Sequence, residues 1–113
     1  MIDFHTHTTF SDGGLNPSEL ARRALMTGYR GLCITDHCDM SNLDLLLENI
    51  PKACRVINKN TKLRTIPGIE LTHVPPGAIT EITDEAREKG VGIILVHGET
   101  IAEPVEPGTN AAA

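Results

Sequence analysis

The chain has 113 residues, which is enough for one small domain with a hydrophobic core. Its net charge of −5 argues against a general nucleic-acid-binding surface, although bound cations would still allow a phosphorylated substrate. Three cysteines without a CxxC spacing predict free thiols and a cytoplasmic location, and we expect neither a membrane-spanning helix nor a signal peptide.

Helical segments separate short apolar runs along the chain. Asn16 resembles an N-cap, so the first helix should begin after it and end at Gly28. A second helical segment covers 42–58, and Pro51 should break or restart it. A third covers 78–89. Strands that alternate with helices are typical of βαβ units, so we predict an α/β fold with a parallel sheet.

Four apolar runs each end in side chains that bind metals. They are 1–7, 31–37, 66–73 and 91–98, and every histidine of the chain lies at one of these ends. In barrels of parallel strands, the chemistry is found at the carboxyl ends of the strands. The pattern therefore predicts that several strands bring their ends to one place, where a cation binds.

The end of the chain has a different character. Residues 103–110 have the composition of a loop, and Asn110 could cap a helix formed by the last alanines. The strand near 91–96 is very apolar and would be poorly covered. About four βα units are too few to close a barrel. We therefore expect the chain to form the N-terminal part of a larger domain.

Each candidate ligand has an ordinary structural explanation when it is taken alone. His5 and His7 share one face of a strand, where they can bind one cation or simply be polar strand residues. Asp12 lies in a tight turn that favours aspartate for backbone reasons. His37 and His97 could be hydrogen-bonded core histidines, and Asp36 is a candidate partner for the ring of His37.

Glu70 ends an apolar run, and burying its carboxylate without a partner would be costly. A metal ion, an arginine or exposure to solvent must therefore explain it. Imidazoles and carboxylates together suit Zn, Mn or Fe better than Ca or Mg. Clustered cations lower the pKa of bound water, which favours metal-assisted hydrolysis. Cys38 is interpreted as an apolar filler rather than a ligand.

These motifs resemble the PHP (polymerase and histidinol phosphatase) family. Residues 3–7 with 11–13 resemble its first motif, 35–37 its second, 68–72 its third and 97–98 its fourth. The resemblance implies the N-terminal part of a distorted (β/α)7 TIM-like barrel with two or three Zn, Mn or Fe ions. It also implies a set of metal ligands: His5, His7, Asp12, His37, Glu70 and His97.

The resemblance further implies hydrolysis of phosphate esters. The substrate would be a small phosphomonoester such as histidinol phosphate, or a nucleotide phosphodiester, with nucleic acid as substrate only. Glu70 would bridge two metal ions, and Glu70, Asp12 and His37 would take part in catalysis. His73 is a weaker candidate for a substrate contact from a loop.

The family places further ligands after the fourth motif, namely another His and then an Asp-x-His. This chain has no counterpart of them, so we interpret 1–113 as a single partial PHP domain that lacks the C-terminal part of the barrel. Alone it should be weakly active or inactive. A second copy or a complementing chain would then supply the missing part.

Other readings remain open at the level of sequence. An amidohydrolase-like barrel also opens with HxH, but it typically uses a strand-end lysine, and none is found here. A non-catalytic metal-binding interaction module is a further alternative. Two sets of charged residues have no part in these motifs. The acidic residues could line the mouth of the pocket or be solvated: Glu99, Glu103 and Glu106. The basic residues should lie at the opposite end of the sheet: Arg30, Lys62 and Arg64.

Overall fold

The computed structural model describes residues 1–99 and 104–113. Among these residues, no helix has both the length and the apolar character needed to cross a membrane. A short 3-10 turn at Pro76–Ala78 precedes the third helix. The strands and helices, in chain order, are β1 Ile2–Thr6, α1 Pro17–Thr27, β2 Gly31–Ile34, β3 His37–Cys38, α2 Leu43–Asn60, β4 Arg64–Leu71, α3 Ile79–Glu88, β5 Ile93–Val96 and α4 Thr109–Ala112.

All strand pairs are parallel, and β4 is the centre of the sheet. β1 pairs with β2, and β2 pairs with the first half of β4. The second half of β4 pairs with β3 on one side and with β5 on the other. The sheet curls into a half-barrel, which confirms the predicted α/β fold and the N-terminal part of a TIM-like barrel.

β2 and β3 are one strand with an interruption. Ile34 pairs with Pro67 and His37 pairs with Glu70, so the register is the same on both sides of the gap. The strand predicted from the apolar run 31–37 is therefore interrupted at residues 35–36. This interruption matters for the site because it contains Asp36, whose carboxylate is buried.

The helix ends agree only in part with the start and stop residues predicted from the sequence. Gly28 has φ 95° and Gly90 has φ 90°, a left-handed conformation that glycine adopts without strain. Asn16 does occupy the N-cap position of α1, but its side chain makes no cap hydrogen bond. Its Oδ1 accepts a hydrogen bond from the Thr9 hydroxyl instead.

The predicted break at Pro51 is wrong, because α2 continues through it as one helix of 18 residues. Proline removes one helical hydrogen bond and costs roughly 3 kcal/mol in a helix interior. The apolar stripe of α2 continues on both sides of Pro51, with Leu47 and Ile50 before it and Cys54 after it, all buried. Packing of this stripe, mainly against β4, offsets the cost of the proline.

The core is aliphatic, as the scarcity of aromatic residues suggests. Its most buried side chains include Leu32, Ile34, Leu46, Ile69 and Leu71. All four residues of β5 are only half-buried, which agrees with the expected poor cover of that strand.

At the end of the chain, α4 has Gly108 at its N-cap position, so the predicted cap at Asn110 is wrong. Asn110 lies inside α4, and its Oδ1 accepts the backbone N–H of Glu99.

Candidate metal centre

β1 directs two imidazoles towards one point. His5 and His7 lie on the same face of the strand end, because residues two apart in a strand point the same way. Their Nε2 atoms are 3.1 Å apart, and their ring centroids are 5.0 Å apart. Two nitrogen donors at this separation can share a single cation.

Glu70 reaches the same point from the carboxyl end of β4. Its side chain is only 6% exposed, and its Oε1 lies 3.1 Å from His5 Nε2 and 3.0 Å from His7 Nε2. Oε1 nevertheless has no hydrogen bond of acceptable geometry within the part of the chain that the structure describes. Three atoms bound to one tetrahedral Zn²⁺ at about 2.0–2.1 Å lie roughly 3.3 Å apart. The crowding and the missing hydrogen bond both fit a cation among these three atoms.

Asp12 links His7 to His37. It stands on the turn after β1, its side chain is 64% exposed, and its Oδ1 lies 2.6 Å from His7 Nδ1. Its Oδ2 lies 3.2 Å from His37 Nε2. The hydrogen bond with His7 is the main reason that the pKa of Asp12 is below its ordinary value, and the two imidazoles add to this. His7, Asp12 and His37 thus form a second group that could hold a metal ion.

His7 belongs to both groups through its two ring nitrogens. When its Nδ1–H donates to Asp12, its Nε2 presents a bare lone pair to the group formed with His5 and Glu70. A carboxylate behind a histidine in this way orients the ring and strengthens it as a metal ligand. Asp12 therefore serves the first group by orienting His7, and the second group by its own oxygen.

Thr72 fixes the ring of His37. Its hydroxyl is placed to donate to the Glu70 carbonyl at 3.2 Å, so its oxygen accepts from His37 Nδ1 at 2.6 Å. The bare Nε2 of His37 then faces Asp12 Oδ2, and two acceptors at 3.2 Å repel unless a proton or a metal ion lies between them. The predicted partner of His37 is wrong, because the Asp36 carboxylate is bonded to Thr8 and Ser11.

The remaining candidate histidines lie at the edge of the cluster. His97 follows β5, and its ring centroid is 6.3 Å from that of His37, but it belongs to neither group of potential ligands among the described residues. Its Nδ1 lies 3.1 Å from the Gly98 carbonyl. His73 is exposed with φ 57°, just after β4 has ended. With His37, Ser11 and Thr72 it borders a depression of about 300 Å³.

The acidic residues near the chain end play different parts. Glu99 does not line the pocket mouth; its Oε1 accepts the backbone N–H groups of Gly108 and Asn110. Glu106 is exposed, and Glu103 lies outside the described residues.

The other predictions agree with the structure. The basic residues lie before or at the starts of β2 and β4, the opposite end of the sheet from the site: Arg30, Lys62 and Arg64. Cys38 is buried, which raises the pKa of its thiol to about 12 and fits an apolar filler.

Three residues that support the site were not predicted to do so, although Ser11 and Thr72 lie within the motifs: Thr8, Ser11 and Thr72. Each acts through a hydroxyl, and serine and threonine are common in turns and at strand ends for many reasons. Their roles become visible only when their distances to Asp36 and His37 are known.

A parallel half-barrel that gathers imidazoles and carboxylates at the carboxyl ends of its strands is typical of metal-dependent domains of the α/β barrel type. The PHP domain model matches residues 3–100, and the chain belongs to the PHP domain family. This match favours the PHP interpretation over an amidohydrolase-like barrel. PHP domains bind metal ions, in agreement with the two groups of potential ligands.

Three curated relatives are similar to the chain. Protein MJ1295 of Methanocaldococcus jannaschii is 48% identical over 110 residues, which cover 96% of this chain and 50% of that protein. The DNA polymerase/3'-5' exonuclease PolX of Bacillus subtilis is 27% identical over 101 residues, 84% of this chain and 18% of its own length. The 5'-3' exoribonuclease Rnm of Salmonella typhimurium is 36% identical over 74 residues, 66% of this chain and 23% of its own length.

The chain thus spans about half of the first relative and about a fifth of the other two. No solved structure matches the chain.

Proposed function

We propose that the chain carries the N-terminal part of a metal-dependent phosphoesterase site, a hydrolase that uses metal-activated water. The main support is Glu70 Oε1, a buried carboxylate oxygen that lies among three imidazole nitrogens without a hydrogen bond. Similarity to proteins named as an exonuclease and an exoribonuclease favours a nucleotide phosphodiester as substrate. A small phosphomonoester such as histidinol phosphate is the second candidate.

The imidazole and carboxylate ligands favour Zn, Mn or Fe. We propose one ion at each of the two groups of potential ligands, and up to three ions in a complete site. Bound cations would supply water of lowered pKa and would neutralise the charge of the phosphate. His5, His7 and Glu70 would hold one ion. Asp12 and His37 would hold the other, and their facing Oδ2 and Nε2 atoms could also hold a proton between them.

The substrate would lie in the depression beside His37. His73, Thr72 and Ser11 border it with hydrogen-bonding groups, and no lysine or arginine lines it within the described ranges 1–99 and 104–113. The negative charge of a phosphate would therefore be balanced by the bound cations rather than by basic side chains. The net charge of −5 fits nucleic acid as a substrate rather than as a partner bound over a wide surface.

We further propose that a second copy or a complementing chain segment completes the barrel, and that the chain alone is weakly active. Ile2 and Phe4 of β1 are about half exposed, and β5 is half-buried, so both ends of the curved sheet offer apolar surface to a partner. Three buried free cysteines support a cytoplasmic location.

The test is hydrolysis of bis-p-nitrophenyl phosphate and p-nitrophenyl phosphate by the purified chain with added Mn²⁺ or Zn²⁺, with bound metal counted by native mass spectrometry. We expect slow metal-dependent turnover of the diester that Glu70→Gln abolishes. Bound metal without any turnover would contradict the proposal that the chain is active alone and would favour a metal-binding interaction module. Turnover that is unchanged by Glu70→Gln or by a chelator would also contradict it.

A further inference from the structure

Asp36 is a buried carboxylate that the metal-binding groups do not use. It is 0% exposed and lies in the gap between β2 and β3. Its Oδ1 accepts the backbone N–H of Thr8 at 2.6 Å and the Ser11 hydroxyl at 2.6 Å. Its Oδ2 accepts the Thr8 hydroxyl at 2.7 Å. A buried carboxylate is tolerated when several donors satisfy it, and all three of these donors come from one turn.

That turn carries Asp12. The backbone N–H groups of Ser11 and Gly13 donate to the Thr8 carbonyl, at 3.1 and 2.9 Å. The turn is so tight that a Cβ at Gly13 would lie 2.3 Å from the carbonyl oxygen of His7. Asp36 therefore holds both Thr8 at the start of the turn and Ser11 beside Asp12, while the Asp12 side chain itself is largely exposed.

The backbone of Asp36 also reaches the other side of the site, because its carbonyl accepts the N–H of Glu70 at 2.9 Å. One residue thus connects the turn that carries Asp12 with the strand that carries Glu70. The neighbouring side chain, His37, belongs to the same interrupted strand and faces Asp12.

We propose that Asp36 is a positioning residue: its carboxylate anchors the turn of residues 8–13 and thereby sets Asp12 between His7 and His37. The inference rests on the proposed metal-dependent function. It also explains why a carboxylate is needed at this place. Asparagine has a single oxygen and cannot accept all three hydrogen bonds; its amide N–H₂ would face the Thr8 hydroxyl, which would have to turn and accept instead of donate.

Loss of the anchor should weaken the second metal-binding group more than the first, because Asp12 is a ligand in the second group and only orients His7 for the first. Partners that orient metal ligands typically contribute 10–100-fold in affinity, so we expect a loss of about that size for the ion at Asp12 and His37. The ligands of the first group, His5, His7 and Glu70, all lie on or directly beside strand ends, so that group should still bind one ion.

The experiment is a Mn²⁺ titration of the whole chain by calorimetry, with ion counts from native mass spectrometry. We expect two ions in the wild type. Asp36→Asn and the isosteric Thr8→Val should keep one ion and bind the second about 10–100-fold more weakly. Thr8→Ser retains the hydroxyl and should restore the second ion.

Thr65→Val is the matched control for loss of a buried hydroxyl. Thr65 is 2% exposed near the start of β4, and its hydroxyl bonds Asn58 and the Cys54 carbonyl, far along the strand from Glu70. The Thr65→Val variant should bind two ions. The proposal would be overturned if Asp36→Asn and Thr8→Val bound the second ion with the affinity of the wild type. It would also be overturned if Thr65→Val lost that ion.

Hydrogen exchange in the metal-free chain separates this proposal from the function on which it rests. The amides of Ser11 and Gly13 should exchange faster in Asp36→Asn than in the wild type, and unchanged protection would overturn the role of Asp36 as an anchor. A wild-type chain that binds no Mn²⁺ would instead overturn the proposed function, even if the exchange result shows that Asp36 holds the turn.

Discussion

Glu70→Gln should raise the stability of the metal-free chain and reduce the stabilisation that metal provides. Without metal, Glu70 Oε1 is a buried acceptor that lacks a hydrogen bond among the described residues. A glutamine of the same shape replaces this buried carboxylate by a neutral amide, whose burial costs less free energy. The variant should therefore be more stable than the wild type in the presence of a chelator.

The size of the effect follows from the burial of this group. An unsatisfied buried acceptor costs about 1–3 kcal/mol, and 1 kcal/mol corresponds to roughly 3–6 °C in Tm for a chain of this length. With metal at 100 times its Kd, the wild type gains about 2.7 kcal/mol. If the variant binds about 100-fold more weakly, its gain at the same metal concentration falls to about 0.4 kcal/mol.

The assay is thermal unfolding at pH 8 with a chelator and then with Mn²⁺ or Zn²⁺, with Glu48→Gln as the control. Glu48 is exposed on α2, so its loss of charge should leave both melting temperatures nearly unchanged. The reasoning is refuted if Glu70→Gln lowers the Tm of the metal-free chain, or if its metal-induced rise in Tm equals that of the wild type.

Three further predictions concern the surroundings of the site. Gly13→Ala should destabilise the chain and weaken metal binding, because the new Cβ would lie 2.3 Å from the carbonyl oxygen of His7. Gly14→Ala is the control and should be neutral, because a Cβ there has open space; calorimetric titration with metal compares the two variants. The buried cysteine thiols, whose pKa values are all raised by burial, should be unreactive towards a disulfide reagent at pH 8 until the chain unfolds, and rapid native labelling would contradict this. Thr72→Val should release the His37 ring, so ¹⁵N NMR of the metal-free chain should show a mixture of tautomers in place of one.

The sequence predicts the alternation of strands and helices along the chain and the convergence of the strand ends, because both follow from local rules. Residues two apart on a strand share a face, which places His5 and His7 together. Parallel strands joined by helices end on the same side, which brings Glu70 and His37 to them. The structure places a ring nitrogen of each of the three histidines within 3.3 Å of Glu70 Oε1, and Asp12 lies beside His7 and His37. Their roles as metal ligands remain predictions.

Details that depend on tertiary packing could not be predicted. Pro51 has the local signal of a helix break, but the apolar stripe on both sides of it is held by the sheet. Asp36 is adjacent to His37 in sequence, but it lies in the gap between β2 and β3, where strand rules do not set the direction of a side chain. Its carboxylate meets Thr8 and Ser11, which lie 28 and 25 residues away.

The central position of β4 would make affinity for metal at the proposed site a measure of strand register. Glu70 contacts His5 and His7 of the β1 end only if two strand alignments are correct. β4 must pair with β2 at Pro67 and Ile34, and β2 must pair with β1 at Ile34 and Thr6. A slip of one residue would turn the Glu70 carboxylate to the other face of the sheet. A misregistered yet compact chain would retain its helices and most of its secondary-structure signal while losing the first metal-binding group. Metal titration during refolding would therefore measure the fraction of molecules with the correct strand register. Circular dichroism alone would not distinguish these molecules from compact ones with the wrong register.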